Sequence, residues 1–353
     1  MQIGLIGFSG AGVKTVFSAI TGLTPAAGIG STIIGTSRLA VLQVPDPRLE
    51  LISSVYNPKR STHSKVEIAE FPGVFGARPD PRLLAKCRES DALALVIGAF
   101  GDGGLDKVPE PDLESLSDTL RDEMILADLT VAESRLTRLT VSLKKRKNEI
   151  EEAELKVLVE CLKQLEMGRV LLDLNLDAED KRRIRGFGFL SLKPVFLLIN
   201  IGEGDVGKEQ EITERFLEKG LTARTLCGDL ESELATIEGD DRGELMDDLG
   251  IEELAAPKVL RAVYECMDVC TFYTYGEDEC RAWTLRAGQT AVDAAARIHT
   301  DLARGFIRAE VVSFADFQEH ECIKNVKGAG RFRLEGKDYT VQDGDLIIIR
   351  HSS

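Results

Sequence analysis

Gly7-Phe8-Ser9-Gly10-Ala11-Gly12-Val13-Lys14-Thr15 is the stretch whose reading decides the fold. Ile3-Gly4-Leu5-Ile6 before it reads as a short buried strand, and a helical pattern begins behind it. Strand, glycine-rich turn and helix is the arrangement in which backbone N–H groups and a helix N-terminus cradle phosphates. Its general pattern is G-x-x-x-x-G-K-[ST]. Here Val13 stands between Gly12 and Lys14, so the loop is one residue out of step. Two placements compete. With Gly7 and Gly12 in the glycine positions, Val13 takes the lysine position and Lys14 that of the hydroxyl residue. With Lys14 and Thr15 in theirs, the glycine positions fall on Phe8 and Val13. Val13, Val16, Phe17 and Ile20 recur at helical spacing, which puts Val13 on the apolar stripe and favours the first placement. Lys14 is then turned by about 100° around the helix from the usual lysine. Its long stem and the Thr15 hydroxyl are the groups left to meet a phosphate or a magnesium ion.

Working outward, 353 residues are enough for more than one domain with a sizeable core. No run of 18 uncharged apolar residues occurs, so no membrane span is expected. The chain begins directly with strand-like residues, so no signal peptide is expected. Seven scattered cysteines read as reduced thiols of a cytoplasmic protein, and Cys266 and Cys270 lie four apart in a helical pattern with no second pair for zinc. A net charge of −15 argues against non-specific coating of nucleic acid and against a DNA-binding role, but leaves room for a local basic patch. His63, His299, His320 and His351 pair with no Ser or Cys nucleophile pattern.

The chain divides into three parts. Residues 1–120 alternate strand and helix signals, with Val66-Glu67-Ile68-Ala69 as an alternating strand and Ala92–Ile97 as a strand buried on both faces. Residues 121–189 lack Gly and Pro until Gly168. They carry one seam through Leu126, Leu129, Leu136, Leu139 and Leu143 and a second through Leu155, Leu158, Leu162 and Leu165. This predicts an antiparallel helical hairpin that turns near Lys144–Asn148, followed by a charged helix near 177–185. The α/β pattern resumes over 190–270 with the buried strand Val195–Asn200, and Leu226–Ala256 is acidic and mostly helical in pattern. Over 271–353, Arg281–Leu285 reads as a strand and Thr290–Ile298 as a helix capped by Thr290. Arg331–Leu334, Lys337–Val341 and Leu346–Arg350 read as short strands. The expected architecture is an α/β domain formed by 1–120 and 190–270, with the hairpin inserted, and a small α+β domain at the C-terminus.

Longer strings then match a family. Val44-Pro45-Asp46-Pro47-Arg48-Leu49-Glu50, Glu123–Leu129, Arg281-Ala282-Trp283-Thr284, Arg304–Val311 and Leu334–Tyr339 resemble the YchF/Obg-like ATPases over nearly the whole length. The resemblance implies a P-loop NTPase domain, an inserted helical hairpin and a C-terminal ubiquitin-like β-grasp (TGS) domain. It also implies ATP preferred over GTP, magnesium, and association with ribosomes or RNA.

The family's motifs carry over one by one. Asn200-Ile201-Gly202-Glu203 fits the family's N-x-x-E, which stands where GTPases have N-K-x-D and suits adenine better. Glu70-Phe71-Pro72-Gly73 occupies the D-x-x-G position, where a carboxylate reaches magnesium through water and the glycine N–H meets a γ-phosphate. Here glutamate adds a methylene and Pro72 removes a backbone donor. Val74 stands where many GTPases place a water-orienting Gln, as the family's apolar residue does. In the first switch, Ser31–Arg38, Ile34 falls where the family has a Thr, with Thr32 and Thr36 nearby. The resemblance thus assigns nucleotide contacts to Gly10, Ala11, Gly12, Val13, Lys14, Thr15, Gly73, Asn200, Ile201 and Glu203. It assigns magnesium to Thr15 and Glu70, and it leaves no residue with a catalytic role. Altered phosphate and metal motifs imply slow hydrolysis of ATP or GTP. The alternative is an inactive scaffold that contacts a ribosome, RNA or a protein through the hairpin and TGS domain. Lys144–Lys147, Lys181-Arg182-Arg183 and Arg185 form the candidate basic face.

Overall fold

The computed structural model describes residues 1–23, 32–34, 37–75, 80–100, 110–237 and 239–352. Gly35 and Thr36 of the first switch lie outside the described residues, as does Ser31. The chain forms two compact units: Met1–Val41 with Glu67–Cys266, and Leu42–Val66 with Met267–Ser353. In chain order the elements are β1 (Gln2–Gly7), α1 (Val13–Thr21), β2 (Thr32–Ile34), β3 (Ser37–Gln43), α2 (Pro47–Tyr56), β4 (Arg60–Thr62), β5 (Lys65–Pro72), α3 (Pro81–Cys87) and β6 (Ala92–Ala99). There follow α4 (Glu110–Lys145), α5 (Glu149–Glu166), α6 (Ala178–Ile184), β7 (Val195–Ile201), α7 (Glu209–Leu217), β8 (Ala223–Leu226), α8 (Gly228–Leu234), α9 (Asp240–Leu249) and α10 (Ala255–Met267). The last part holds β9 (Val269–Thr274), β10 (Glu279–Arg286), α11 (Ala291–Ile298), α12 (Thr300–Arg304), β11 (Phe306–Val312), α13 (Phe314–His320), α14 (Ile323–Gly328), β12 (Arg333–Glu335) and β13 (Leu346–His351).

The first unit is built on a seven-stranded sheet in the order β2-β3-β5-β1-β6-β7-β8. The pairs β1–β5, β1–β6, β6–β7 and β7–β8 are all parallel. Strands in such a sheet are covered on both faces, which is why they read as unbroken apolar runs. Leu93, Leu95 and Ile97 of β6 join Leu197, Ile199 and Ile201 of β7 in one core, while the intervening Ala94, Val96 and Leu198 are buried too.

α4 starts at Glu110, and its Leu120 and Met124 still belong to the sheet's core. It then runs on beside α5, with Asn148 capping α5 through bonds from the Ile150 and Glu151 N–H groups. The expected hairpin is present, with one correction. Leu126 is 57% exposed, and the seam runs instead through Ile125, Ala132 and Leu139, with Leu129 and Leu136 partly buried beside them. Leu126 lies one position, about 100°, off that seven-residue repeat. On α5, Val157, Leu158, Cys161 and Leu165 face it. Arg135 clamps Glu154 across the pair at 2.7 and 2.9 Å.

A buried carboxylate anchors the hairpin. Asp128 is fully buried and accepts from Arg88 Nη1 (2.6 Å), the Leu190 and Ser191 N–H groups (3.0 and 2.8 Å) and Ser191 Oγ (2.8 Å). Arg88 also donates to the carbonyls of Ala127 and Gly188. One aspartate thus joins α4, the end of α3 and the chain that re-enters the sheet.

In the second unit a six-stranded sheet has the order β12-β11-β13-β9-β10-β4. Period-two alternation sorts its side chains to two faces. Phe272, Leu285, Val311 and Ile347 pack under Ala291, Ala294 and Ala295 of α11. Tyr273, Ala282, Val312 and Leu346 meet Leu49 and Ile52 of α2, Phe317 of α13 and Val326 of α14. Segment 42–66, which the sequence reading puts with the first part of the chain, therefore supplies a strand and a core helix here, β4 pairing parallel with β10. Asp46 caps α2 and accepts from Arg48 Nε (3.1 Å) and the Tyr273 hydroxyl, while Arg48 Nη1 reaches Asp343 at 2.6 Å. Burial pushes the Tyr273 phenol above its usual range, and the Asp46 carboxylate adds to that shift.

Thr290 and Asp293 form a capping box on α11, as the Thr290 reading anticipates. Lys337–Val341 is not a strand; a single bridge joins Thr340 to Thr290. Its alternating pattern reflects Val341, which fills the α11 face of the core, and Tyr339, whose hydroxyl bonds Asp345 at 2.7 Å. Cys266 and Cys270 do not share a helix, because α10 ends at Met267 and Asp268 adopts a φ of 47° before β9. All seven cysteines are free, and burial pushes the Cys87 thiol up to about 12. No helix among the described residues is long and apolar enough to cross a membrane.

Asp128→Ala leaves Arg88 as a buried charge without its partner and is expected to lower the unfolding free energy by about 3–5 kcal/mol. Urea denaturation measures this, and a loss under about 1 kcal/mol would show that the hairpin is anchored elsewhere.

Candidate functional site

The loop between β1 and α1 turns on two glycines in the left-handed region, Gly10 at φ 90° and Gly12 at φ 81°. The Ala11 N–H is folded back onto the Phe8 carbonyl at 3.1 Å. The first helical bond of α1 runs from the Val16 N–H to the Gly12 carbonyl at 2.9 Å, so the amides of Val13, Lys14 and Thr15 have no helical acceptor. No side chain caps this end. Space is open beside Gly10, where an added Cβ would meet no atom within 4 Å. A pocket of about 230 Å³ opens on the same part of the loop, between Phe8–Ala11, Gly98, Phe100 and Leu116. Val13 is 4% exposed and packs inward, Thr15 is half-buried and Lys14 is exposed.

The end of β7 is tied to this loop. Asn200, 4% exposed, donates from Nδ2 to the Ala11 carbonyl (3.2 Å) and accepts at Oδ1 from the Gly228 N–H (2.9 Å). A Cβ on Gly12 would lie 2.2 Å from Asn200 Nδ2, so this close approach demands glycine at 12. Ile201 is buried in the sheet's core. Glu203 is exposed in the short 3-10 turn Glu203–Asp205. The turn between β8 and α8, whose Gly228 N–H donates to Asn200, is held from behind by Glu231, which sequence reading missed. Its Oε1 accepts from the Cys227 N–H at 3.2 Å and lies 3.6 Å from Lys258 Nζ. Burial raises the Glu231 pKa, against the opposing pull of Lys258. Its only sequence signal is a glutamate inside a helix that follows a strand.

On the other side of the loop, Gly73 has φ 70° and open space where a Cβ would stand, and Val74 is buried. Glu70 is 2% exposed. Both its oxygens are taken by Arg38, Nε to Oε1 at 2.7 Å and Nη2 to Oε2 at 2.8 Å. Arg38 Nη2 also donates to the Lys14 carbonyl at 3.1 Å, and the guanidinium lies 4.5 Å over the Phe17 ring. Arg38 is the second residue that sequence reading missed; its signal was an arginine close to a switch whose partner carboxylate is a glutamate. Glu70 does not fit a magnesium site, because Arg38 leaves it no free carboxylate oxygen, and Thr15 brings a single half-buried hydroxyl. Among the described residues no cluster of three His, Cys, Asp or Glu side chains could hold a metal ion.

A mainly parallel sheet with a phosphate-type loop at the end of its central strand, read across to Asn200, defines a P-loop NTPase fold. The family model YchF-GTPase_C, "Protein of unknown function (DUF933)", matches residues 269–352. The "Ribosome-binding ATPase YchF" of Pasteurella multocida (strain Pm70) is 35% identical over 369 aligned positions, covering 99% of this chain and 98% of that protein. The protein of the same name from Bacillus subtilis (strain 168) is 31% identical over 366 positions and 99% of each chain. This chain belongs to the YchF family. Its fold is that of the Schizosaccharomyces pombe YchF GTPase structure, with a TM-score of 0.77, 24% identity, and coverage of 99% of this chain and 97% of that one.

Asn200→Ala strands the Gly228 N–H and the Ala11 carbonyl and is expected to cost about 2–3 kcal/mol in urea unfolding. Faster hydrogen exchange at the Gly228 amide is its local signature, and unchanged exchange would contradict the tie. For Glu231 the folded chain holds a proton at pH values where the unfolded chain has released it. Its contribution to stability is therefore present at acid pH and lost as pH rises from the ordinary glutamate range through the raised value. Glu231→Gln is expected to flatten that fall in unfolding free energies measured from about pH 4 to about pH 8.

Proposed function

We propose that this chain binds a nucleoside triphosphate at the Gly7–Thr15 loop, prefers ATP to GTP, hydrolyses it slowly and works in the cytoplasm in association with the ribosome. The observation that carries the reading is the bare end of α1, with the Val13, Lys14 and Thr15 amides unclaimed and Asn200 holding the loop open from below. Helix-end amides and the partial positive charge of the helix suit phosphate oxygens. Lys14, in the same turn, is exposed and carries a cation on a long stem. Gly73, with open space on its outer side, supports a place for the terminal phosphate. Glu203, in the N-x-x-E position and exposed, is the group we assign to the base edge, where the family's glutamate suits adenine.

Slow turnover follows from what is missing beside the phosphates. Val13 brings no charge where the usual lysine stands, and Glu70 is engaged by Arg38. Charge developing on a transferred phosphoryl group thus meets little fixed positive charge. These same two observations favour a second reading, a scaffold that binds without turnover.

For the partner, the names of the relatives suggest the ribosome, and the hairpin supports it. Lys144, Lys145, Arg146 and Lys147 are all exposed at the hairpin's end, and Lys181, Arg182 and Arg185 are exposed on and just after α6. Arg183 differs, being paired with Glu179 and Asp180. Exposed basic residues on a chain of net charge −15 give local attraction for phosphate backbones.

Calorimetric titration with ATP, GTP and their non-hydrolysable analogues tests the reading. Heat with ATP exceeding that with GTP, and a turnover below about 1 s⁻¹, are expected. No heat with any nucleotide overturns it. Val13→Lys combined with Lys14→Ser restores the general loop pattern and is expected to tighten ATP binding.

A further inference from the structure

We infer that Arg38 stands in for a divalent cation at Glu70, so that nucleotide binding at the Gly7–Thr15 loop is independent of magnesium. The inference rests on the nucleotide reading above and adds the charge that accompanies the phosphates. A carboxylate serves a magnesium ion by accepting from its waters or by ligating it directly, and either use needs an oxygen facing the ion. Glu70 has none to give. Arg38 meets it in the two-pronged geometry that matches guanidinium to carboxylate, at 2.7 and 2.8 Å, the strongest form of charge-assisted hydrogen bond.

Three further features fix the guanidinium there. It lies over the Phe17 ring at 4.5 Å, it shares Nη2 with the Lys14 carbonyl at 3.1 Å, and its side chain is only 11% exposed. Its Nη1 is buried with no hydrogen-bond partner, so the bonds to Glu70 and Lys14 decide the position. A hydrated magnesium ion could take over Glu70 only by breaking both bonds and leaving the Arg38 cation stranded under the loop, which buried ion pairs resist. The pair also cancels the charge of Glu70. An unpaired carboxylate at that place would repel phosphates unless a metal screened it, so the arginine removes the need for the metal. Because Nη2 bonds the Lys14 carbonyl, the same guanidinium sets the backbone of the first turn of α1, whose amides face the ligand.

The experiment compares the affinity of the full-length chain for a non-hydrolysable ATP analogue in magnesium and in EDTA, by calorimetry. The two dissociation constants are expected to agree within about threefold. An affinity weaker in EDTA by about tenfold or more overturns the inference and leaves the nucleotide reading standing. No heat in either buffer overturns the nucleotide reading, and this inference with it. Arg38→Gln unmasks Glu70 and is expected to create the dependence that the parent chain lacks, with binding lost in EDTA and regained in magnesium. A variant that folds, by its circular dichroism, and stays indifferent to magnesium also overturns the inference. The comparison on the parent chain decides the matter if Arg38→Gln does not fold. Single-turnover hydrolysis separates one more outcome: if Arg38→Gln binds without regard to magnesium but loses turnover, the arginine acts on the phosphate and not on Glu70.

Discussion

The Asn200 carboxamide is the joint on which the site is built. A buried amide must satisfy both its ends, and here the two ends face different segments of chain. One holds the Ala11 carbonyl and the other the Gly228 N–H. Their positions are set by the parallel register that places Gly98 of β6 opposite Asn200. Gly98 is crowded in turn, since a Cβ there would come within 3.1 Å of Ala11 Cα. Strand register, two glycines and one amide therefore lock together, and the loop's outward face follows from its inner face.

Around that joint the two sides of the site have diverged. On the Asn200 side both ends of the carboxamide are bonded, and Glu231 Oε1 holds the Cys227 N–H beside them. On the Glu70 side an ion pair fills the ground where a free carboxylate was expected. The change is a consistent set and not a scatter of losses. Glutamate is one methylene longer than aspartate, and a bidentate arginine takes up both oxygens of that longer reach. Val13 turns an otherwise charged position into core packing. The result is a loop braced from beneath by apolar and ionic contacts, with its outward groups reduced to backbone amides and one exposed lysine.

How much of this was legible depended on whether the signal was local. β6 and β7 announce themselves because both faces are buried and every residue but Asn200 is apolar. The hairpin was readable because leucines recur at helical spacing, yet Leu126 was misassigned: a leucine counts in a seam only if its angle agrees. Lys337–Val341 has the alternation of a strand, but alternation marks sidedness and not pairing, and Val341 and Tyr339 take sides without a ladder. The tie of Asn200 to Gly228 spans 28 residues and that of Arg38 to Glu70 spans 32. No window of sequence holds both partners. The glutamate was visible as an oddity, and its cause lay in a residue with no motif of its own.

Segment 42–66 has a consequence in time. The chain leaves the first unit after Val41, returns at Glu67 and leaves again after Cys266. During synthesis from the N-terminus, Leu49 and Ile52 are made near the start, while Tyr273, Val312, Phe317 and Leu346, the apolar surface that covers them, are made near the end. The second core therefore needs both an early segment and late ones before it can close. Until β13 is made, Leu49 and Ile52 lack the Leu346 side of their core.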